Sequence, residues 1–141
     1  MAGQKRGALE SSDYQLLAQF RYLLARFLAF SEDAARKSGL APRHHQALLA
    51  IKGYPDGADV TVGDLAERLC IRHHSAVGLV DRLERRGYLK RAADADDKRR
   101  MILTLTSKGE NALAALSAAH RDELRRLTPL LKPLLAKLES E

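Results

Sequence analysis

The chain holds a single cysteine, Cys70, in 141 residues. That excludes an intrachain disulfide and a four-cysteine zinc site. No apolar stretch approaches the roughly 18 uncharged residues a membrane-spanning helix needs. No apolar run follows the basic start Met1–Gly7 either, so the sequence predicts no signal peptide and a cytoplasmic protein. There is no Gly-rich phosphate loop, no nucleophile elbow and no catalytic triad, so no enzyme and no cofactor are expected. The five histidines, His44, His45, His73, His74 and His120, never stand four apart as a helical zinc pair does, so no metal is expected. The acidic cluster from Asp94 to Asp97 lacks the spacing of a calcium loop and runs into three basic residues, which makes it a solvated turn. Internal repeats and low-complexity linkers are absent.

What the chain does have is basic charge in one place. Its formal charge is +6 and its pI is about 9.7. From Arg68 to Arg100 there are ten Lys or Arg against five Asp or Glu, a local excess of +5. Charge gathered on one segment suits a polyanionic partner, the plain alternative being a solvated face.

Hydrophobic periodicity divides the chain into helices with one strand pair. Residues 1–12 are small and polar and read as a flexible tail. A long helix follows, capped at Ser12 or Asp13, with Leu17, Phe20, Leu24, Phe27 and Leu28 on one stripe. Leu16, Leu23 and Phe30 form a second stripe. Two apolar stripes on one helix of so short a chain call for a second subunit as cover. Gly39 closes this helix, and a second one runs from Pro42 to Gly53. Thr61 opens a third helix with Asp64 completing a capping box, and Leu65, Ala66 and Leu69 face inward. A fourth spans about His73 to Arg86, with Val77, Val80, Leu83 and Leu79 inward, and stops at Gly87. Tyr88–Arg91 and Met101–Leu105 read as strands around a charged tip, Ala92–Arg100. Thr106 or Ser107 then caps another long helix. Pro133, inside the leucine-rich end, predicts a kink or a fresh helix start.

The succession helix, helix, turn, helix, charged hairpin carries the functional reading. In a helix-turn-helix the second helix enters the major groove, which is wide enough to admit it. Here the turn is Cys70-Ile71-Arg72, and His73, His74 and Ser75 are placed to approach base edges. Val77 and Gly78 allow close approach, while Arg72, Arg82, Arg85 and Arg86 are candidate phosphate contacts. The hairpin tip supplies Asp97, Lys98, Arg99 and Arg100. An arginine on a narrow ribbon suits the minor groove, and Asp97 can orient Arg99. Cys70 itself reads as a small buried side chain rather than an oxidant sensor.

Leu65-Ala-Glu-Arg-Leu69, Leu79-Val-Asp-Arg-Leu-Glu-Arg-Arg-Gly87, Asp97-Lys-Arg99 and Leu105-Thr-Ser-Lys-Gly109 together resemble the multiple antibiotic resistance regulator (MarR) family, over residues 13 to 138. The resemblance implies a mainly α fold with a small β-hairpin wing, a winged helix-turn-helix flanked by long dimerisation helices. The divisions expected are residues 39–106 for the winged helix-turn-helix, and residues 13–38 with 107–141 for dimerisation. It also implies a homodimer whose first and last two helices interlock, with Leu16, Leu17, Phe20, Leu24, Leu124, Leu127, Leu131, Leu134 and Leu135 at the interface. The implied activity is sequence-specific binding of double-stranded DNA at a pseudo-palindromic operator, as a repressor, nucleoid-associated when bound. A small phenolic or anionic effector is implied in a cleft near His44 and His45. Two positions depart from the family pattern: Cys70 stands where glycine is common, and Arg72 where a Ser or Thr cap is usual. Two other readings stay open: an accessory or architectural DNA-binding protein that needs no ligand, and a module that docks onto another protein.

Overall fold

The computed structural model describes residues 7–140. The flexible-tail expectation for residues 1–6 lies outside them. The elements are α1 (Ser11–Lys37), α2 (Pro42–Lys52), a 3₁₀ turn (Pro55–Gly57), α3 (Val62–Leu69), α4 (His73–Arg85), β1 (Leu89–Ala93), β2 (Met101–Leu105) and α5 (Ser107–Glu139). Helix α1 begins earlier than the cap at Ser12 or Asp13 suggested. Asp13 acts from inside the first turn, its Oδ2 accepting the Glu10 amide at 2.8 Å. The chain forms two compact units, one of residues up to Ser31 with those from His120 onward, the other Glu32–Ala119. The second unit is thus longer at both ends than the 39–106 stretch expected from sequence.

The Glu32–Ala119 unit is built on a closed apolar core. Leu48, Leu65, Leu79, Val80, Leu83, Leu89 and Leu103 are at most 2% exposed, and Ala35, Ala47, Leu113 and Leu116 join them. Strands β1 and β2 pair antiparallel, Leu89 opposite Leu105 and Arg91 opposite Leu103. Val60 adds an isolated bridge to Leu103, whose amide donates to the Val60 carbonyl at 2.8 Å. Gly109 explains the close of the Leu105–Gly109 motif. A Cβ there would stand 2.1 Å from the Tyr88 carbonyl oxygen, so only glycine lets the first turn of α5 approach the chain leaving α4. Thr106 completes that junction: its hydroxyl donates to the Gly87 carbonyl and accepts the Gly109 amide.

The other unit is thinly covered. Leu23, Leu127 and Leu134 are buried between α1 and α5, with Leu16, Phe27 and Leu131 packed around them. His120 is also buried there, its Nε2 2.8 Å from the Ser31 hydroxyl and its ring edge-on to Phe27 and Phe30. Of the eight leucines and one phenylalanine expected at an interface, Leu127 and Leu134 are therefore consumed inside the chain, and Leu16 and Leu131 partly so. Leu17, Phe20, Leu24, Leu124 and Leu135 stay 42–58% exposed. The fresh helix start that Pro133 offered does not occur. Helix α5 continues through Pro129 and Pro133 to Glu139, so the expected last two helices are one. Each proline removes a helical hydrogen bond, at about 3 kcal/mol in an ordinary interior. Burial of Leu127 and Leu134 offsets this by about 1.5–3 kcal/mol each. No helix among the described residues is long and apolar enough to cross a membrane.

Candidate nucleic-acid interface

The basic segment folds as α3, a tight turn, α4 and the β1–β2 hairpin. Helix α3 starts with a reciprocal capping box: Thr61 Oγ1 accepts the Asp64 amide at 3.2 Å and Asp64 Oδ2 accepts the Thr61 amide at 3.0 Å. The backbone amide of Thr61 is the chief reason the Asp64 carboxyl is held below its ordinary pKa. Helix α3 ends in a Schellman turn, with the Ile71 amide on the Ala66 carbonyl and the Cys70 amide on that of Glu67. Cys70 occupies the left-handed position at φ 54° and ψ 44°, the conformation glycine would adopt more readily. It is exposed, so the expectation of a small buried side chain fails.

Helix α4 begins without a side-chain cap, as Arg72 in place of a Ser or Thr foretold. Arg72, His73, His74 and Ser75 are all exposed at its amino end. Ala76, Leu79, Val80 and Leu83 form its buried face; Val77, expected inward, is only half-buried beside Gly78. Adding a Cβ to Gly78 would meet only Arg82 Nη1 at 3.6 Å, so packing does not demand glycine there. Arg82, Arg85 and Arg86 line one surface hollow at the opposite end of α4. A helix of 13 residues rises about 18 Å from first to last residue, so these arginines gather well away from His73 along α4. The end of α4 is held by Lys108, whose Nζ donates to the Arg86 carbonyl at 2.7 Å and lies 4.5 Å from the centre of the Tyr88 ring.

The tip between the strands is organised by its aspartates. Asp94 Oδ1 accepts the Asp96 amide at 3.0 Å and Asp94 Oδ2 accepts Arg100 Nη1 at 3.3 Å. The Asp96 amide foremost keeps the Asp94 carboxyl below its usual pKa. Asp97 Oδ1 accepts the Arg99 amide at 3.1 Å but Arg99 Nε only at 3.5 Å. Asp97 thus shapes the backbone more than it clamps the guanidinium, and the Arg99 side chain stays 94% exposed. Lys98 is exposed beside it, whereas Arg100 is partly committed to Asp94.

One group of residues escaped the sequence reading: Asp81 and Glu84 on α4 with Arg91 on β1. Arg91 Nη2 donates to Asp81 Oδ1 at 2.8 Å and to Glu84 Oε1 at 3.1 Å. Its Nε and its backbone amide both reach Glu84 Oε2, at 3.4 and 3.1 Å. Hydrogen bonds from the Arg91 side chain, then from its amide, hold the Glu84 carboxyl below its ordinary pKa. The signal was the strand alternation: Leu89 is buried, Lys90 exposed and Arg91 half-buried again, so Arg91 falls on the inward face and needs carboxylates there.

His44 and His45, expected to border an effector cleft, are instead 6% and 3% exposed within α2. Burial foremost, then the charges of Arg86 and Arg82, lower the pKa of His44. The Nδ1 atom of each imidazole is withdrawn from solvent. Among the described residues no group of three or more His, Cys, Asp or Glu is close enough to hold a metal.

A two-helix turn whose second helix shows a polar, basic amino end, followed by a hairpin with an exposed arginine, defines a winged helix-turn-helix. Residues 38–100 match the family model described as "MarR family". The "Uncharacterized HTH-type transcriptional regulator YcgE" of Bacillus subtilis is 33% identical over 98 residues, which cover 70% of this chain and 60% of that protein. The "Homoprotocatechuate degradative operon repressor" of Escherichia coli is 31% identical over 85 residues, 52% of this chain and 57% of that one. The chain therefore spans somewhat over half the length of these relatives. A mutant of S. aureus MepR bound to an oligodeoxyribonucleotide shares the fold at a TM-score of 0.64 and 21% identity, covering 90% of this chain and 96% of that one. Over residues 38–100 the chain is thus similar to the MarR family, and its fold is that of a solved member.

Proposed function

We propose that this protein is a cytoplasmic, homodimeric transcriptional repressor that binds double-stranded DNA at a pseudo-palindromic operator. The observation that carries the reading is the surface of α4 and the wing. Among the described residues, Arg72, Arg82, Arg85, Arg86, Lys90 and Lys98 make no ion pair, and the Arg99 guanidinium stands almost wholly in solvent. Cations without carboxylates can release counterions from a phosphate backbone at no cost of breaking an internal pair. In this reading His73, His74 and Ser75 address base edges, with Val77 and Gly78 admitting the groove wall. Arg82, Arg85 and Arg86 hold flanking phosphates. Arg99, set by Asp97 and flanked by Lys98 and Arg100, enters the adjacent minor groove.

Dimerisation is supported by the face of Leu17, Phe20, Leu24, Leu124 and Leu135, which one chain leaves bare. Repression is supported by the name of the E. coli relative, an operon repressor. Release by a small phenolic or anionic effector belongs to the same reading, and burial of His44 and His45 requires the surroundings of α2 to open for it.

Fluorescence anisotropy on the duplex upstream of the protein's own gene, against a shuffled duplex and across salt, tests the reading. A preference of about 10³-fold with a steep salt slope is expected. Equal affinity for both duplexes would overturn sequence-specific repression from that site. Failure to bind either would point to a protein partner. Phenolic carboxylates titrated into the complex should dissociate it.

A further inference from the structure

We propose that Arg91 is a positioning residue for DNA binding: by bridging Asp81 and Glu84 of α4 to β1, it holds the wing at the angle from which Arg99 and the amino end of α4 engage one duplex. The inference rests on the DNA-binding reading above and assigns a role to three residues that the reading does not use.

Arg91 sits in the most basic part of the chain, yet it is not built as a DNA contact. Its side chain is 29% exposed against 94% for Arg99. Its Nε and Nη2 already donate to carboxylates on α4, and its amide does too. The trio of Arg91, Asp81 and Glu84 has a net charge of −1, which repels phosphate. A repulsive trio in a DNA-facing lobe needs a compensating use, and its geometry supplies one. Asp81 and Glu84 are three residues apart on one face of α4. The planar guanidinium bridges both, so rotation of β1 about α4 would break one arm or the other. From β1 the same rigidity passes into the tip, where the Asp94 amide donates to the Arg100 carbonyl at 2.8 Å and Asp94 Oδ2 accepts Arg100 Nη1. Leu89, Ile102 and Leu103 root the base of the ribbon in the core, but from Ala92 to Met101 its residues are exposed or only partly buried and add little packing to fix the tip. Lys90, the neighbouring strand residue, faces solvent and can do none of this.

A double-mutant cycle between Arg91 and Arg99, read as duplex affinity, tests the role. In the parent, Arg99→Ala should weaken binding about tenfold and lower the salt slope by about one. In an Arg91→Ala background the same change should cost less than about twofold, because the wing no longer delivers Arg99. Arg91→Ala also unmasks two carboxylates, so the decisive variant is Arg91→Ala with Glu84→Gln. It keeps the local charge at −1 and lacks the bridge. Loss of the Arg99 dependence in that double variant is the expected result. Parent-like binding by it, with the Arg99 effect intact, would overturn the proposal. Amide hydrogen exchange reads the device without DNA: the amides of residues 94–100 should exchange faster in both Arg91 variants, while those of Leu65 and Leu83 keep parent protection. If Arg99→Ala has no effect even in the parent, the wing–DNA reading falls. Unchanged exchange at the wing then overturns the pin as well, and faster exchange upholds the pin alone.

Discussion

The two units of this chain use leucine differently. In the Glu32–Ala119 unit the large apolar side chains of α2, α3, α4 and the hairpin close on one another, and what remains outside is mostly polar and basic. In the unit formed by the start of α1 and the end of α5, three leucines are buried and a longer series is left in solvent, Leu17, Phe20, Leu24, Leu28, Leu124, Leu130, Leu135 and Leu138 among them. The first unit has satisfied its own hydrophobic demand and spends its surface on charge. The second has not. Two helices offer each other one stripe apiece, so a helix with two stripes needs a further helix to cover it. The contrast separates a self-contained module from a unit that leaves apolar surface uncovered.

The comparison breaks most visibly where the bare face is charged. Leu24→Asp with Leu124→Asp should convert a dimer to monomer in sedimentation, raising the dissociation constant by at least about 10³-fold, since each buried charge costs several kcal/mol. Both residues are nearly half exposed in the single chain, so circular dichroism should show the helices retained. A dimer that survives both changes would mean that this face is not the interface.

The closed lobe should answer instead to crowding. Gly109→Ala drives a Cβ against the Tyr88 carbonyl and should destabilise by about 1–3 kcal/mol, read as a lowered Tm. Gly78→Ala, with room for its methyl, should leave Tm unchanged or slightly raised. Equal effects at the two glycines would contradict the tight junction between α5 and Tyr88. A smaller loss, about 1 kcal/mol in chemical denaturation, is expected for Thr61→Ala, which removes one half of the α3 capping box.

The smallest effect is one of pH. His44 is held below its ordinary pKa when folded, so the unfolded chain takes up its proton first as pH falls. Its contribution to stability is complete above the unfolded value, near 6.5, and is lost as pH drops from there toward the folded value. The fall in Tm between about pH 7.5 and 5.5 should therefore be shallower in His44→Gln than in the parent. Parallel slopes would remove His44 from the pH dependence.

The helix-turn-helix and the hairpin were legible in the order of elements because their signals are local. Thr61 with Asp64, Gly39 and Gly87 at positive φ, and the β-forming run Met101–Leu105 each act within a few residues. The continuous α5 was not legible, because Pro133 argues locally for a break and only packing against α1 overrides it. Nor was the Arg91 bridge. Its partners stand seven and ten residues away on another element, and spacing along the chain does not say which strand face meets which helix face.

The sequence by itself determined where α2, α3 and α4 start and stop, where charge gathers, and that α1 carries more apolar surface than one neighbour can cover. These follow from backbone propensity and periodicity, which act at short range. Tertiary structure alone decided that Leu127 and Leu134 are spent inside the chain while Leu24 and Leu124 remain outside, that His44 and His45 are buried, and that Arg99 reaches solvent while Arg91 is locked to Asp81 and Glu84. Burial and pairing depend on which surfaces meet, and that is settled only when the whole set of elements packs.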